Sequence, residues 1–230
     1  MPATRTFQLR HVQLARAAFA AVAALMVTFS VDHSAPVGLA VFSGFALVSG
    51  LIFALAAWLV AAPGGRWPYV LMAVVAGLTG MAAGVPAWRT TPLFFVAVIV
   101  WGALGGFVEL IAGIRARKTA KTEGVPAPDG ARDAILIGAL GLALAVALAC
   151  VPSSYALRYS IAQAGSFTLT GITLAVGIFG AYAAIVAVFL AIAGFSPRVP
   201  QGAAPGAATG QGTTITGVAV TTTTENEGSA

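Results

Sequence analysis

The stretch PLFFVAVIVWGALGGFVELIAGIRARK, residues 92–118, decides which class of protein this chain can be. From Pro92 to Ile114 it carries a single charged side chain, Glu109, and then changes abruptly to Arg115, Arg117 and Lys118. An apolar run of this length reaches the ~20 residues a helix needs to cross a ~30 Å hydrocarbon core. The basic residues that follow it act as a stop-transfer signal. A transmembrane β-strand is only about 9–11 residues long with alternating polarity, which this run does not show.

Reading outward from this segment finds five more of the same kind. The expected spans are residues 14–31, 37–62, 69–88, 92–114, 134–151 and 166–194. Of the chain's 230 residues 59% are hydrophobic and 8% charged, and the mean hydropathy is +0.93. That balance leaves too little polar surface for a water-soluble domain. The expected fold class is therefore an all-α integral membrane protein of six transmembrane helices.

The distribution of basic residues sets an orientation. With the N-terminus inside, Arg5, Arg10, Arg16, Arg66, Arg115, Arg117, Lys118, Lys121, Arg132 and Arg198 fall on the cytoplasmic side. Only Arg89 and Arg158 fall outside, so the positive-inside rule predicts cytoplasmic termini. The basic run RARKTAK lacks interleaved aromatics and follows directly on a span, which speaks against nucleic-acid binding. Instead Arg115, Arg117, Lys118 and Lys121 are expected at the inner face of the bilayer, where they can contact anionic lipid. A cleaved signal peptide over the first span is disfavoured, because SVDHSAPVG places His33 where a small residue is wanted and Pro36 directly after Ala35. Cys150 is the single cysteine, which excludes an intrachain disulfide and predicts a small packing residue inside the fifth span.

The expected organisation is a six-helix domain over residues 1–195, with helical hairpins at about 10–62, 67–114 and 132–195. A cytoplasmic loop over 115–133 and a tail over 196–230 lack apolar periodicity and are rich in Gly, Pro, Thr and Ala, so both are expected to be disordered. The segment TTITGVAVTTTT in the tail has β-propensity, but a lone strand is not stable. The fourth and sixth spans are self-similar. WGALGGFVELIA at 101–112 aligns with VGIFGAYAAIVA at 176–187, matching Gly102 with Gly177, Gly105 with Gly180 and Phe107 with Tyr182. AGVPAW at 83–88 and ACVPSS at 149–154 both carry a helix-ending Val-Pro pair. Three two-helix units would run parallel, unlike the inverted repeats of many transporters.

WGALGGFVELIAGIRARK, an aromatic and Gly-rich helix closing in Glu and a basic run, resembles the HdeD-like acid-resistance membrane proteins, as do the Val-Pro ends at Val85-Pro86 and Val151-Pro152. The resemblance covers residues 12–195; the first hairpin departs from it, with Ser30-Val31-Asp32 in place of a Val-Pro end. It implies a six-span bacterial inner-membrane protein of repeated hairpins, linked to acid or envelope stress. It carries over no catalytic residues.

In the fourth span Gly102, Gly105, Gly106, Glu109 and Gly113 stand at offsets 0, 3, 4, 7 and 11, along one helical face. Gly80 and Gly84 make a second small-residue surface in the third span. Such residues let helix backbones approach in lipid, where packing rather than the hydrophobic effect drives association. Glu109 lies about 7–8 Å below the cytoplasmic end of its span. Its expected partner is Arg16, at similar depth, with the glycines letting the first and fourth spans meet. The alternative is a proton-relay or ion-coupling role, since protonatable carboxylates inside membranes mark such paths. A dry glycine-lined contact around Glu109 would favour packing, and a polar cavity reaching it would favour transport.

Asp32, His33, Arg89 and Arg158 form an expected external polar group, in which His33 is either a pH-responsive side chain or a solvated loop histidine. No metal-ligating, phosphate-loop or Ser-His-Asp pattern is present, so no cofactor and no catalytic residue is expected. The expected function is non-enzymatic, in envelope or acid-stress physiology through helix packing or binding of a membrane partner or a second copy. The alternative is a small-solute or proton-coupled transporter using Glu109.

Overall fold

Local chemistry sets where each helix begins. In the computed structural model, which describes residues 8–61, 64–128, 130–161 and 165–196, the backbone N–H of Gln8 donates to His11 Nδ1 at 3.0 Å and closes the first turn of α1 (Leu9–Phe29). Asp32 Oδ1 accepts from the Ser34 N–H at 2.8 Å immediately ahead of α2 (Ala35–Leu59), whose first turn holds Pro36. After α3 (Trp67–Gly84) and a 3-10 turn at Pro86–Trp88, the Thr90 hydroxyl accepts from the Leu93 N–H and caps α4 (Thr91–Thr122). The chain continues through α5 (Ala131–Ala149), the strands β1 (Ala156–Ile161) and β2 (Gly165–Thr170), and α6 (Gly171–Phe195), capped by Thr170. A capping hydroxyl satisfies one of the donors a helix start leaves unpaired. The helices α3 and α5 stop just ahead of Val85-Pro86 and Val151-Pro152.

All six helices are long and apolar enough to cross a membrane. They close into a ring in which each packs on the next and α6 returns to α1. The contacts alternate: α2 with α3, α4 with α5 and α6 with α1 are extensive, while α1 with α2, α3 with α4 and α5 with α6 are smaller. The most intimate pairs thus join neighbouring hairpins. The glycines aligned by self-similarity do not sit in equivalent places. A Cβ on Gly180 would strike Val27 of α1, one on Gly105 would approach Met72 of α3, and one on Gly177 would meet nothing.

The centre of the ring is aromatic and is supplied by the even-numbered helices. Phe42 and Phe45 of α2, Trp101 of α4 and Phe179 of α6 pack edge to face, with centroids 5.3–5.9 Å apart between α2 and the other two. Tyr182 extends the cluster from Trp101 at 5.7 Å. Each such pair adds about 0.5–1.5 kcal/mol beyond area burial. The outer surface is apolar too, with Phe19, Leu25, Leu51, Leu78, Phe107 and Val188 exposed. An apolar perimeter of this extent suits lipid and not water.

Four expectations change. Residues 115–133 are not one disordered loop: α4 runs through Thr122, α5 starts at Ala131, and residues 123–130 connect them. Arg, Lys and Ala are strong helix formers even without an apolar stripe, and Gly124, at φ +66°, supplies the left-handed residue that ends the helix. The sixth span begins at Gly171, and residues 166–170 belong to an antiparallel hairpin that pairs Leu157 with Leu169 and Tyr159 with Phe167. The helical bundle therefore carries a small β element between α5 and α6. The first helix starts at Leu9, earlier than residue 14. Cys150 is the exposed C-cap of α5 and not an interior packing residue. The tail over 196–230 lies outside the described residues apart from Ser196.

Candidate functional site

Gln13 and Arg16 stand three residues apart on α1, and so share a face. From that face Arg16 Nη2 reaches Glu109 Oε1 of α4 at 2.8 Å. The two side chains are only 17% and 11% exposed, so the pair sits largely out of solvent. The Arg16 guanidinium also lies over the Phe53 ring of α2, 4.5 Å from its centroid. Tyr69 of α3 lines the same cavity as the pair. Residues from α1, α2, α3 and α4 therefore gather around one charge pair.

The structure brings Arg16 and Glu109 together, but not through a close approach of α1 and α4. The main contacts of α4 are with α5 and α3, and those of α1 are with α6 and α2. The glycines serve a different helix: a Cβ on Gly102 would lie 2.9 Å from Gly141 O, on Gly106 2.6 Å from Gly138 O, and on Gly113 2.6 Å from Ala131 O, all in α5. Gly105 turns toward Met72 of α3, while Gly80 and Gly84 pack on Leu47 and Ser43 of α2. Ser43 Oγ donates to Gly80 O at 2.8 Å across that seam. The space between α1 and α4 is crossed by long side chains.

That space is a cavity of about 660 Å³. It runs from Gly64, Gly65, Pro126 and Pro128 at one end of the bundle down to Phe53, Met72, Ile137 and Leu190, with Arg16 and Glu109 in its wall. One side is polar: Gln13 Nε2 donates to Asp133 Oδ2 of α5 at 2.7 Å, beside Arg16. The lining also holds Phe53, beneath Arg16, together with Tyr69 and Trp67, with Arg115 5.6 Å from the Trp67 centroid. Its volume lies within the ~300–1,000 Å³ of small-molecule sites, and mostly apolar walls with a few placed polar groups are the usual composition. Arg117, Lys118 and Lys121 face away, along a shallow groove floored by Ile114 and Ile135.

The four polar residues expected on the outer side do not assemble. Asp32 is engaged by Ser34, whose N–H and hydroxyl both donate to it at 2.8 Å. Arg89 Nη2 donates to Gly84 O at 3.4 Å, Arg158 stands on β1 opposite Thr168, and His33 is half-buried in the α1–α2 connection. No ion pair joins Asp32 to Arg89 or Arg158 among the described residues. No three His, Cys, Asp or Glu side chains converge as metal ligands among those residues either.

Sequence reasoning missed Gln13, Phe53, Tyr69 and Asp133. Gln13 carried a usable signal, as a polar residue three positions before Arg16 on the same helical face. Asp133 falls within the expected loop over 115–133, whereas it stands in the first turn of α5. The aromatics gave no signal, since a Phe or Tyr in an apolar run looks alike whether it lines a cavity or meets lipid.

The chain is a multi-pass helical membrane protein by the length, polarity and outward apolar surface of its helices. In comparisons with protein-family models, curated proteins and solved structures, nothing matches it.

Proposed function

We propose that the chain is a non-enzymatic membrane protein that binds, and moves, a small solute through the cavity ending at Arg16 and Glu109. The observation that carries the reading is that Glu109 lines a cavity of about 660 Å³ instead of being sealed in a glycine contact. Ten of the chain's twelve basic residues lie on the side to which this cavity extends, when sorted by the positive-inside rule. On that basis the cavity faces the cytoplasm of a bacterial inner membrane and both termini are cytoplasmic. Arg117, Lys118 and Lys121 would hold anionic headgroups at the same face.

The test is solvent access in a Cys150→Ala background. Ala112→Cys lines the cavity and should react with a small methanethiosulfonate reagent added from the cytoplasmic side. Val98→Cys, fully buried in α4, should not. An Ala112→Cys as inert as Val98→Cys would remove the basis for a solute path.

A second reading is an HdeD-like role in envelope or acid stress through packing or partner binding, with three parallel hairpins as the repeat. The glycine-lined seam between α4 and α5 favours it, as does the alternation of large and small contacts around the ring.

A further inference from the structure

We infer that the cavity selects a zwitterion: a net-neutral molecule bearing a carboxylate and an ammonium on an apolar, preferably aromatic, body. The inference rests on the reading of the cavity as a solute site and names the chemistry of the solute.

At the deep end of the cavity the charges of Arg16 and Glu109 balance, while the rest of the lining adds Arg115, Glu123 and Asp133. Arg16 and Glu109 neutralise each other at 2.8 Å with little exposure. A simple cation that competes for Glu109 leaves Arg16 uncompensated in a poorly solvated place, and a simple anion that competes for Arg16 does the same to Glu109. An unpaired charge in such a place is strongly unfavourable. A ligand with both charges exchanges one internal pair for two new ones and leaves nothing unpaired. The side chains allow this: a guanidinium has five donors in a planar fork, so Arg16 can bond Glu109 and a second carboxylate together, and a carboxylate can accept from more than one donor.

The rest of the wall orders the ligand's groups. Asp133 sits beside Gln13 on the polar side, one step from Arg16 toward the open end, and gives an ammonium a second acceptor. Phe53, Trp67 and Tyr69 add ring carbons to the lining, Phe53 beside Arg16 and Trp67 beside Arg115, and Met72, Ile137 and Leu190 add apolar atoms. Charged groups beside ring carbons in one cavity fit a molecule whose two charges lie at one end and whose body is flat and apolar.

Three probes sharing one ring separate the charge types: L-tryptophan, tryptamine and 3-indolepropionate, titrated calorimetrically into the full-length protein in detergent at neutral pH. L-tryptophan should bind at least about ten-fold more tightly than either singly charged analogue. In the doubly substituted Arg16→Gln/Glu109→Gln protein that preference should shrink to about two-fold or less. Should that variant unfold, Asp133→Asn serves in its place. It should weaken L-tryptophan by about three-fold or more and should not weaken 3-indolepropionate. Equal or tighter binding of either mono-ion overturns the inference, as does undetectable binding of L-tryptophan. If Ala112→Cys is solvent-accessible in the same preparation, only the zwitterion assignment falls; if it is inert, the solute-binding reading falls with it.

Discussion

Replacing Arg16 and Glu109 singly and together should reveal a strongly coupled pair. At about 4 Å between charge centres and an effective dielectric of about 20, two unit charges attract by about 4 kcal/mol. An exposed pair is worth only about 0.2–1 kcal/mol, and removing one partner of a fully buried pair costs about 3–5 kcal/mol. Side chains exposed by 17% and 11% lie nearer the buried limit, while water in the cavity moderates the loss. Arg16→Gln and Glu109→Gln should therefore each destabilise by about 2–4 kcal/mol. The double substitution removes both charges at once and can keep an amide contact, so it should fall short of the sum by about 1–3 kcal/mol. Unfolding of the four proteins in mixed detergent micelles, followed by tryptophan fluorescence, gives the cycle. A coupling below about 0.5 kcal/mol would falsify the account, because it would mean that the 2.8 Å contact does not hold in the folded protein.

The glycines supply a matched contrast. Gly106→Ala puts a methyl within 2.6 Å of Gly138 O and should destabilise by about 1–3 kcal/mol, whereas Gly177→Ala meets nothing within 4 Å and should stabilise by about 0.5–1 kcal/mol; the same unfolding assay checks both, and equal effects would contradict the α4–α5 seam. Phe53→Leu keeps apolar volume but removes the ring beneath Arg16, and should cost about 0.5–2 kcal/mol that disappears in an Arg16→Gln background. In cells, with Cys150 replaced, His33→Cys should react with an impermeant maleimide from outside and Lys118→Cys only after permeabilisation. The reverse pattern would invert the orientation drawn from the basic residues.

How much was legible depended on whether the signal was carried by one residue or by two surfaces. Span length, apolarity and flanking charge belong to each segment alone, so six spans could be read directly. The depths of Arg16 and Glu109 could be read for the same reason, each being counted from its own helix end. Which helix the glycines of α4 would meet could not be read, because a small-residue stripe says only that some backbone comes close. The hairpin at 156–170 was legible in principle: Leu157, Tyr159 and Ile161 alternate with Arg158 and Ser160, and Phe167 and Leu169 alternate with Ser166 and Thr168. That period-2 pattern was masked where Phe167 and Leu169 merge into the apolar run of the sixth span. The extension of α4 through RARKTAK was missed because stop-transfer chemistry and helix propensity are independent, and a basic run can end a span without ending its helix.

The stripe on α4 explains why a cavity exists. At about 100° per residue, Gly102, Gly113 and Gly106 fall at about 0°, 20° and 40° around the helix. Glu109, Gly105 and Ala112 fall at about −20°, −60° and −80°. What reads in sequence as one small-residue face therefore has two edges. The first edge is bare backbone and draws α5 in until main-chain atoms touch across Gly106 and Gly138. The second edge carries Glu109 and Ala112 into the cavity, where Met72 and Arg16 also reach. Close contact on one side fixes α4 against α5, so α4 cannot rotate to offer its glycines to α1. The distance to α1 is then too great for backbone packing and short enough for an arginine. A carboxylate on that edge needs a long cationic side chain opposite it, and the volume that the two do not fill remains open to a ligand.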